Sequence, residues 1–415
     1  MSFSRYPKYK DSGVEWLGEV PEHWDVVQFK QFVDIQNGSD HKHIEQTEGY
    51  PVLGSGGIFT YASDFLYDGE SILLGRKGTI DKPLHIDGPF WTVDTMYWTK
   101  INPVASGRYT YYSALTIPFD YYSTNTALPS MTKGALSSHL VARPPLPEQT
   151  QIAAFLDRET AKIDELVAEQ RRLMELLKEK RQAVISHAVT KGLNPDAPMK
   201  PSGIEWLGDV PEHWLIGGLT RFIGPVVDYR GRTPTKMGEG IFLVTARNVC
   251  DGKIDYEASE EFVEPDSAAS LLARGKPEIG DLLFTMEAPL GQVALIDRTD
   301  IALAQRIVKF RGTPNVLKNR FLLYWFMSTH CQARLETLAT GSTALGIKAS
   351  KLGMIECLVP SLGEQTAIAD HIECESAKFD ALTTEAQRAI DLLQERRTAL
   401  ISAAVTGQID VRVAL

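Results

Sequence analysis

One thirteen-residue segment occurs twice in the chain, and this duplication restricts the possible folds more than any other feature. The first copy reads SGVEWLGEVPEHW over Ser12–Trp24, and the second reads SGIEWLGDVPEHW over Ser202–Trp214. Only two positions differ, and each exchange keeps the character of the side chain. Because repeated sequence builds repeated structure, we expect two copies of one architectural unit.

A longer duplicated segment closes each half of the chain. Its first copy spans Pro145–Gly192 and its second spans Ser361–Gly407, and both begin with a Glu-Gln-Thr triplet. The offset between copies is 190 residues for the opening segment and 216 for the closing segment, so the intervening region is longer in the second half. The chain therefore has the order opening segment, variable region, closing segment, twice over.

Both closing segments have the composition of long α-helices. After their first few residues they contain neither Gly nor Pro, and they are rich in Ala, Leu, Glu, Lys and Arg. Pro147 suits a first helical turn, and Ser361 with Glu364 has the spacing of a capping box. Gly192 and Gly407 suit the left-handed residue that follows a helix. A helix of about 43 residues would be roughly 65 Å long.

The apolar residues of the two predicted helices recur at heptad-like spacing. One compact neighbour cannot cover so long a stripe, whereas the second helix offers a matching one, so the sequence favours an antiparallel intramolecular coiled coil. The alternative is two separate surface helices, each lying on its own domain. The predicted seam comprises Leu156, Ile163, Leu166, Leu173, Leu177, Val184, Ile372, Phe379, Leu382, Ala389, Leu393 and Leu400.

The two variable regions, roughly Asp25–Arg143 and Leu215–Val359, are rich in β-branched and aromatic residues. SILLGRKGTI and PFWTVDTMYW in the first region, and GDLLFTMEAPLGQVALI and RIVKFRG in the second, have the pattern of strands separated by turns. The predicted fold class is therefore α+β. It consists of two strand-rich α/β domains joined by two long helices, with a pseudo-twofold internal repeat.

Basic residues cluster in glycine-containing loops of both variable regions. Arg and Asn pair bidentately with guanine and adenine edges, whereas Lys and Thr suit phosphates. Any single such loop is explained equally well as a solvated turn, but their recurrence in both halves favours a nucleic-acid contact. The predicted DNA-binding residues are Arg76, Lys77, Thr79, Lys82, Lys133, Arg230, Arg232, Lys236, Arg247, Asn248 and Lys348. The net charge of −10 opposes this interpretation unless the cations form a local surface.

No catalytic or metal-binding motif is complete. The segment Gly341–Ser350 lacks the Gly-Lys-Ser/Thr triplet of a phosphate-binding loop, and His41–Glu45 has no partner motif for a metal. None of the four cysteines belongs to a C-x-x-C pair. We therefore predict no catalytic residue, metal or cofactor in this chain. No signal peptide or membrane-length apolar run is evident, which favours a cytoplasmic protein without membrane contact.

The duplicated EWLGxVPEHW, the two helices opening with Glu-Gln-Thr and the two dissimilar regions between them resemble the specificity subunits of Type I restriction–modification systems. The segments LLGRKGTI, FWTVDTMYW, DYRGRTPTK and GDLLF are also similar to parts of that family's target recognition domains. The resemblance covers essentially the whole chain. It implies target recognition domains at residues 1–147 and 193–360, a first spacer helix at 148–192, and a second spacer helix with a C-terminal tail at 361–415.

The resemblance also implies a division of labour. Each variable domain would read one half of a bipartite, asymmetric site in double-stranded DNA, while the helices set the spacing and dock two methyltransferase subunits that methylate adenine N6. Motor-nuclease subunits would add translocation and cleavage. S-adenosylmethionine, ATP and Mg²⁺ would be bound by these partners, so this chain would not be an enzyme.

Three alternatives stay open from the sequence. The chain could serve a fused methylase-nuclease of the Type IIB kind, it could be a two-headed scaffold that binds proteins, or it could be an enzyme with an unrecognised active site. DNA binding that depends on Arg76, Lys77, Arg230 and Arg232 would distinguish a specificity subunit from a scaffold. Methyl transfer or nicking by the purified chain alone would reveal an enzyme.

Overall fold

A computed structural model describes residues 4–122, 129–229, 234–304, 306–341 and 345–413 of the chain. The chain forms two compact units. The first extends to Gln170 and also includes the residues from Gln387 onward, and the second comprises Arg171–Ala386. Each unit thus contains one variable region, the first part of one long helix and the last part of the other.

In its described residues, the first unit is built from short strands and three short α-helices. Its strands are β1 (Tyr9–Asp11), β2 (Glu19–Pro21), β3 (Asp25–Gln28), β4 (Val33–Asn37), β5 (Glu45–Gln46), β6 (Tyr50–Gly54), β7 (Gly57–Ala62), β8 (Tyr67–Asp68), β9 (Ser71–Gly75), β10 (Leu84–Ile86), β11 (Pro89–Thr92), β12 (Met96–Ile101) and β13 (Leu140–Arg143). Its helices are α1 (Gly107–Ala114), α2 (Phe119–Tyr122) and α3 (Lys133–Ser138). The first long helix, α4 (Leu146–Lys191), begins here.

The second unit repeats this plan. Its strands are β14 (Met199–Pro201), β15 (Asp209–Pro211), β16 (Leu215–Gly218), β17 (Val227–Asp228), β18 (Lys236–Met237), β19 (Ile241–Val244), β20 (Val249–Cys250), β21 (Lys253–Ile254), β22 (Phe262–Val263), β23 (Leu282–Met286), β24 (Leu290–Leu295), β25 (Ile301–Leu303), β26 (Ile307–Phe310) and β27 (Glu356–Val359). Its helices are α5 (Pro265–Leu272), α6 (Asn319–Met327) and α7 (Thr329–Leu338), followed by the long helix α8 (Leu362–Val405).

The two units share one sheet topology. A four-stranded sheet has the order β10-β9-β12-β4 in the first unit and β24-β23-β26-β17 in the second. A second sheet contains one parallel pair in each unit, β6 with β11 and β19 with β25. The central strands β9 and β23 are buried along their whole length, as expected for the apolar runs SILLG and LLFTM. The α+β class and the internal repeat predicted from the sequence are confirmed.

Each variable region enters and leaves its unit through a pair of adjacent antiparallel strands. β3 pairs with β13, so that Asp25 lies opposite Arg143, and β16 pairs with β27, so that Leu215 lies opposite Val359. The first and last residues of each variable region are therefore neighbours, and a long helix begins directly after the last one.

The duplicated opening segment is anchored to the start of the long helix in the same unit. The buried carboxylate of Glu148 accepts a hydrogen bond from the Trp24 indole at 3.2 Å and lies 2.9 Å from Nε2 of His23. Glu364 has the same role for the second His-Trp pair, at 2.8 and 3.4 Å. A buried carboxylate needs such partners, which explains why the His-Trp and Glu-Gln sequences are repeated together.

The two long helices have the ends that the sequence predicts. At α8, the Glu364 carboxylate accepts hydrogen bonds from the Ser361 backbone N–H at 3.1 Å and from its hydroxyl at 2.8 Å, which forms the expected capping box. Gly192 and Gly407 follow α4 and α8 with φ of +76°. At Gly407 an added Cβ would lie 2.3 Å from Pro21, so any side chain there would collide with the opening segment.

Within each unit the segments of α4 and α8 run antiparallel. In the first unit Asp164 pairs with Arg397 at 3.0 Å, and further toward the start of α4 Leu156 shares a core with Ile401 near the end of α8. In the second unit Arg181 pairs with Asp380 at 2.7 Å. The two ion pairs are related by the 216-residue offset, so the repeat extends to the charged residues that flank the helix pair.

The structure corrects the predicted seam at three positions. Leu166, Leu173 and Leu382 are 43%, 40% and 52% exposed, whereas the following residue in each case, Val167, Met174 or Thr383, is buried or half-buried. After Ile163 the buried positions advance by four residues before they advance by three. The buried position after Ile163 is thus one residue later than the sequence predicts. Because each residue turns a helix by about 100°, a leucine one position before the buried residue points away from the seam.

The other predicted seam residues lie toward the helix pair or the adjoining cores. Leu156, Ile163, Leu177, Ile372 and Phe379 are buried. A further four are half-buried, namely Val184, Ala389, Leu393 and Leu400.

The longest apolar run, which the sequence places at Phe321–Met327, belongs to helix α6. The side chains of Phe321–Phe326 are buried in the core of the second unit. Within the described residues, no helix has the length and apolar character that crossing a membrane requires.

Candidate nucleic-acid interface

In the first unit a basic loop follows strand β9 and is held by the turn between β11 and β12. The backbone N–H groups of Arg76 and Lys77 donate to the carbonyl of Thr95 at 2.9 and 3.2 Å. The Arg76 guanidinium donates to the carbonyl of Asp94 at 3.2 Å and lies over the ring of Tyr97. Arg76 is half-buried, whereas the side chain of Lys77 is exposed. The loop is thus fixed in place while it presents a cation to solvent.

A second segment of the first unit, residues 129–133, pairs with this loop. Lys77 forms a β-bridge with Ser130, and the Met131 N–H donates to the carbonyl of Arg76 at 2.9 Å. Lys133, the first residue of α3, is exposed beside this segment, as is Thr79 on the loop. The structure therefore brings together four of the five DNA-binding residues predicted in this half. The fifth, Lys82, lies exposed further along the chain.

The same backbone arrangement recurs in the second unit after strand β23. The Met286 N–H donates to the carbonyl of Arg306 at 2.8 Å, and the Ile347 N–H donates to the carbonyl of Met286 at 2.9 Å. Glu287 forms a β-bridge with Gly346. These three contacts correspond one for one to those of the first unit. Lys348 lies exposed next to the bridged segment.

The two arrangements carry different side chains on one backbone framework. Glu287 occupies the place of Lys77, and Arg306 occupies the place of Thr95. Glu287 and Arg306 form an ion pair at 3.2 Å, and both are about half exposed. The first unit therefore offers a cation where the second offers a carboxylate with an arginine beside it.

Arg306 opens onto a cleft of about 260 Å³ in the second unit. Lys236, Thr245, Arg247 and Glu261 contribute to its lining, and Lys236 pairs with Glu261 at 2.8 Å. The cleft thus gathers three cations, one carboxylate and a hydroxyl between small apolar side chains. Guanidinium groups pair with guanine edges, and carboxylates accept from the cytosine amino group, so this chemistry suits base edges.

Two residues at this cleft have backbone conformations that are unusual for residues other than glycine. Arg306 has φ of +77° and Ala288 has φ of +46°. Such conformations cost on the order of 1–3 kcal/mol and are concentrated at functional sites. The positive φ fixes the direction in which Arg306 leaves the turn.

Asn248 does not fit its predicted role as a base contact. Its side chain is fully buried, and its Oδ1 accepts hydrogen bonds from the backbone and hydroxyl of Thr245 at 2.8 and 2.9 Å. Its Nδ2 donates to the carbonyls of Asp255 and Ser259 at 2.8 and 2.9 Å. With every donor and acceptor direction used, the amide holds the loop that carries exposed Arg247 and has no free edge for adenine.

Arg230 and Arg232 lie outside the described residues. Tyr229, which precedes them, is buried and donates a hydrogen bond from its hydroxyl to the carbonyl of Gly275 at 2.5 Å. The chain therefore enters the segment that contains both arginines from a fixed point.

Glu287, Arg306 and Glu261 are not among the residues that the sequence predicts for this interface. A signal for the first was present, because SILLGRKG and DLLFTMEA can be superimposed on their buried runs, which aligns Lys77 with Glu287. Arg306 and Glu261 have no comparable sequence signal. They reach the cleft only through the pairing of strands that are distant in the sequence.

A second surface lies on the outer faces of the long helices. Leu166 and Leu392 are exposed in the first unit, and their counterparts at the 216-residue offset, Leu382 and Leu176, are exposed in the second. These leucines are exposed at equivalent positions of both units, so the internal repeat extends to the apolar residues on the solvent-facing sides of the helices.

Among the residues that the structure describes, no three or more His, Cys, Asp or Glu side chains are grouped so that they could hold a metal ion. The rings of His41 and His43, from the segment considered as a metal site, instead contact Phe59 and Trp91 edge to face.

Comparison with known proteins gives a consistent result. The family model for the Type I restriction modification DNA specificity domain matches residues 21–174 and 274–391. The chain is 24% identical to the Type I restriction enzyme MjaVIII specificity subunit of Methanocaldococcus jannaschii, over 95% of this chain and 94% of that protein. It is 22% identical to the EcoBI specificity subunit of Escherichia coli, over 99% of this chain and 91% of that protein.

Two solved structures show the same fold. A chain from a study of complex assembly and conformational transition in the type I R-M system aligns with a TM-score of 0.69 and 15% identity, covering 93% of this chain and 98% of that one. The HsdS subunit of Thermoanaerobacter tengcongensis aligns with a TM-score of 0.50 and 14% identity, covering 94% of this chain and 98% of that one.

Proposed function

The chain belongs to the Type I restriction–modification DNA specificity family, whose members are non-catalytic DNA-recognition subunits, and from this premise we propose how it divides the reading of its target. Each variable region reads one half of a bipartite, asymmetric site in double-stranded DNA. The long helices set the gap between the halves and dock methyltransferase subunits, which methylate adenine N6 in each half.

The observation that carries this proposal is the pair of equivalent loops with different chemistry. The backbone framework after β9 and after β23 is the same, yet Lys77 and Thr95 are replaced by Glu287 and Arg306. A common framework gives both units the same approach to a duplex, whereas different donors and acceptors select different bases. This combination suits a protein whose two half-sites are unlike.

In the first half-site, exposed Lys77 and Lys133 contact phosphates or base edges beside Arg76, with Thr79 and Lys82 on the same stretch of chain. In the second half-site, the reading group comprises Lys236, Arg247, Lys348, Glu261, Glu287 and Arg306, together with Arg230 and Arg232. Asn248 supports the Arg247 loop and does not contact DNA. Neutralised phosphates release counterions, so binding by these cations falls steeply as salt rises.

Helices of 46 and 44 residues support the spacer role. At 1.5 Å per residue each is roughly 65–70 Å long, which exceeds the roughly 34 Å between half-sites one turn apart. The exposed leucine pairs, Leu166 with Leu392 and Leu382 with Leu176, supply two equivalent docking surfaces for two methyltransferase subunits. Leu392→Glu is expected to weaken the assembly of one such subunit, as judged by the stoichiometry of the purified complex.

Residues 1–147 and 193–360 form the recognition domains in this proposal, and 148–192 and 361–415 supply the spacer. S-adenosylmethionine is bound by the methyltransferase subunits, and ATP and Mg²⁺ by motor-nuclease subunits. Methylation of the predicted site therefore requires the partners, and the purified chain alone is expected to transfer no methyl group.

The decisive experiment maps N6-methyladenine across the genome of cells that carry the complete system. The unaltered chain should give one bipartite motif, and Lys77→Ala should relax its first half only, while Arg306→Ala relaxes its second half only. Lys8→Ala removes an exposed cation that precedes the opening segment, where it pairs with Glu22, and serves as the control. A motif without two halves, or changes in both halves from either variant, would show that the reading is not divided between the units.

A further inference from the structure

In the first unit, strands β6 and β7 form a hairpin whose tip is apolar and uncovered. The strands are joined by Ser55 and Gly56, and an added Cβ at Gly56 would meet nothing within 4 Å. Ile58 and Phe59 directly follow the tip, and each is 56% exposed. The tip therefore presents two large apolar side chains that the rest of the unit leaves more than half uncovered.

A β-bulge sets the direction of Phe59. Val52 pairs with Thr60, and the next residue, Leu53, pairs with Ile58, which leaves Phe59 as the extra residue of β7. The Phe59 ring lies over Gly54, since a Cβ added to Gly54 would be 3.5 Å from the nearest ring atom. The same ring contacts the ring of His41 edge to face, with 5.2 Å between the ring centroids. Bulges redirect side chains and are frequent beside functional sites. The ring is therefore held at a defined angle although more than half of it is exposed.

The hairpin tip adjoins the basic loop of the same unit. The carbonyl of Leu53 accepts a hydrogen bond from the Val93 N–H at 3.3 Å, and the two residues after Val93 are those that hold the loop at Arg76. The apolar tip and the cations of Arg76 and Lys77 thus flank a single turn, residues 93–95. A carboxylate is also close to the tip, because Glu45 on the neighbouring strand β5 accepts a hydrogen bond from the Thr60 hydroxyl at 3.0 Å.

We propose that this hairpin tip is an apolar wedge that inserts the Phe59 ring, supported by Ile58, at a base step of the first DNA half-site. The inference rests on the proposed function, and it adds a distortion of the duplex to the reading of base edges. Apolar side chains that enter a stack of bases unstack one step and kink the duplex, and nearby cations hold the backbone on either side.

Duplex DNA fits this surface better than a protein partner. Tyr61 and Phe65, further along the chain, are also exposed, at 40% and 38%, but the tip itself narrows to a two-residue turn bordered by the cations of Arg76 and Lys77. The second unit has no equivalent tip in its described residues, because β19 ends at Val244 and the paired strand β22 begins only at Phe262. The wedge therefore acts on one half-site only.

The test uses the methyltransferase complex assembled with the full chain and duplexes that contain its mapped motif. 2-Aminopurine is placed at successive positions of both half-sites, since its fluorescence rises when it is unstacked. We expect one position of the first half-site to brighten on binding with the unaltered chain, beyond any signal from the adenines that are methylated. With Phe59→Ala this signal should be lost, and binding should weaken about ten-fold, as for loss of one base–aromatic stack.

Two controls separate this role from others. Ile279→Ala changes an exposed apolar residue of the second unit and should alter neither fluorescence nor affinity. A duplex that is already unpaired at the brightened step does not have to be unstacked on binding. The unaltered complex should therefore bind it more tightly than the paired duplex. The Phe59→Ala complex should show a smaller difference in affinity between the two duplexes.

Three results would overturn the wedge. The first is a first half-site that brightens equally with the unaltered chain and with Phe59→Ala. The second is that no base step other than the methylated adenines brightens. The third is that the Phe59→Ala chain fails to assemble with methyltransferase subunits, which would identify a protein contact. In each case a bipartite methylation motif that still responds to Lys77→Ala and Arg306→Ala would leave the proposed function intact. Loss of that motif dependence would instead refute the proposed function itself.

Discussion

Replacement of Asn248 by alanine tests whether this residue contacts DNA or instead supports the loop of Arg247, which we propose contacts DNA. The amide makes four hydrogen bonds in a fully buried position. Each contributes about 1 kcal/mol net, and the substitution leaves the Thr245 N–H and the carbonyls of Asp255 and Ser259 without their partners. We expect the loop between Thr245 and Glu261 to lose roughly 3 kcal/mol of local stability, which is a factor of about 150 in its opening equilibrium.

Native-state hydrogen exchange of the purified full chain, read by mass spectrometry, measures this opening directly. Peptides from residues 245–261 should exchange about two orders of magnitude faster in Asn248→Ala, while those of the first unit keep their rates. Arg247→Ala, one residue away but exposed, should leave the exchange unchanged. Unaltered exchange in Asn248→Ala together with a relaxed second half-motif would refute the argument and restore Asn248 as a base contact.

Three further predictions concern the helices and pH. Leu177→Asp, at a buried position, should lower the midpoint of thermal unfolding by several degrees, whereas Leu173→Asp, on the exposed face, should change it little; equal effects would contradict the observed seam. Insertion of one heptad into both α4 and α8 should lengthen the unread gap of the methylation motif and keep both half-words, and a changed half-word would argue against a separate spacer. Burial lowers the pKa of His139 from 6.5 to about 4, so the unfolded chain takes up a proton first as pH falls. The contribution of His139 to stability should therefore be fully present above pH 6.5 and be lost as pH decreases toward 4, and thermal unfolding of His139→Gln should depend less on pH over this interval.

The sequence was sufficient for features that depend on local chemistry. The capping box of Ser361 and Glu364, the glycines that end both long helices and the buried runs of β9 and β23 follow from residues that are close together in the chain. The repeat then links the two halves without knowledge of any long-range contact. For this reason the α+β class and the paired long helices could be predicted before the structure was known.

Features that depend on contacts between distant segments could not be predicted in the same way. The sequence predicts Leu166 in the seam, whereas the structure buries Val167 instead. Leucines spaced seven residues apart can lie on either of two adjacent lines along a helix, and contact with the partner helix decides which line is buried. The sequence does not indicate that the Asn248 amide is buried, because two of its partners are carbonyls seven and eleven residues away. Arg306 has no local sequence signal because its ion-pair partner, Glu287, lies in the turn after a distant strand, β23.

The strand pairs β3 with β13 and β16 with β27 have a consequence for how such proteins can change. Each variable region starts and finishes at the same place, beside the anchored His-Trp pair and the first turn of a long helix. A foreign module whose two ends lie one strand spacing apart can therefore be exchanged at Asp25 and Arg143, or at Leu215 and Val359, without disturbing either anchor. Recombination at these four positions would combine existing variable regions into new DNA specificities, while the anchors and the long helices stay unchanged.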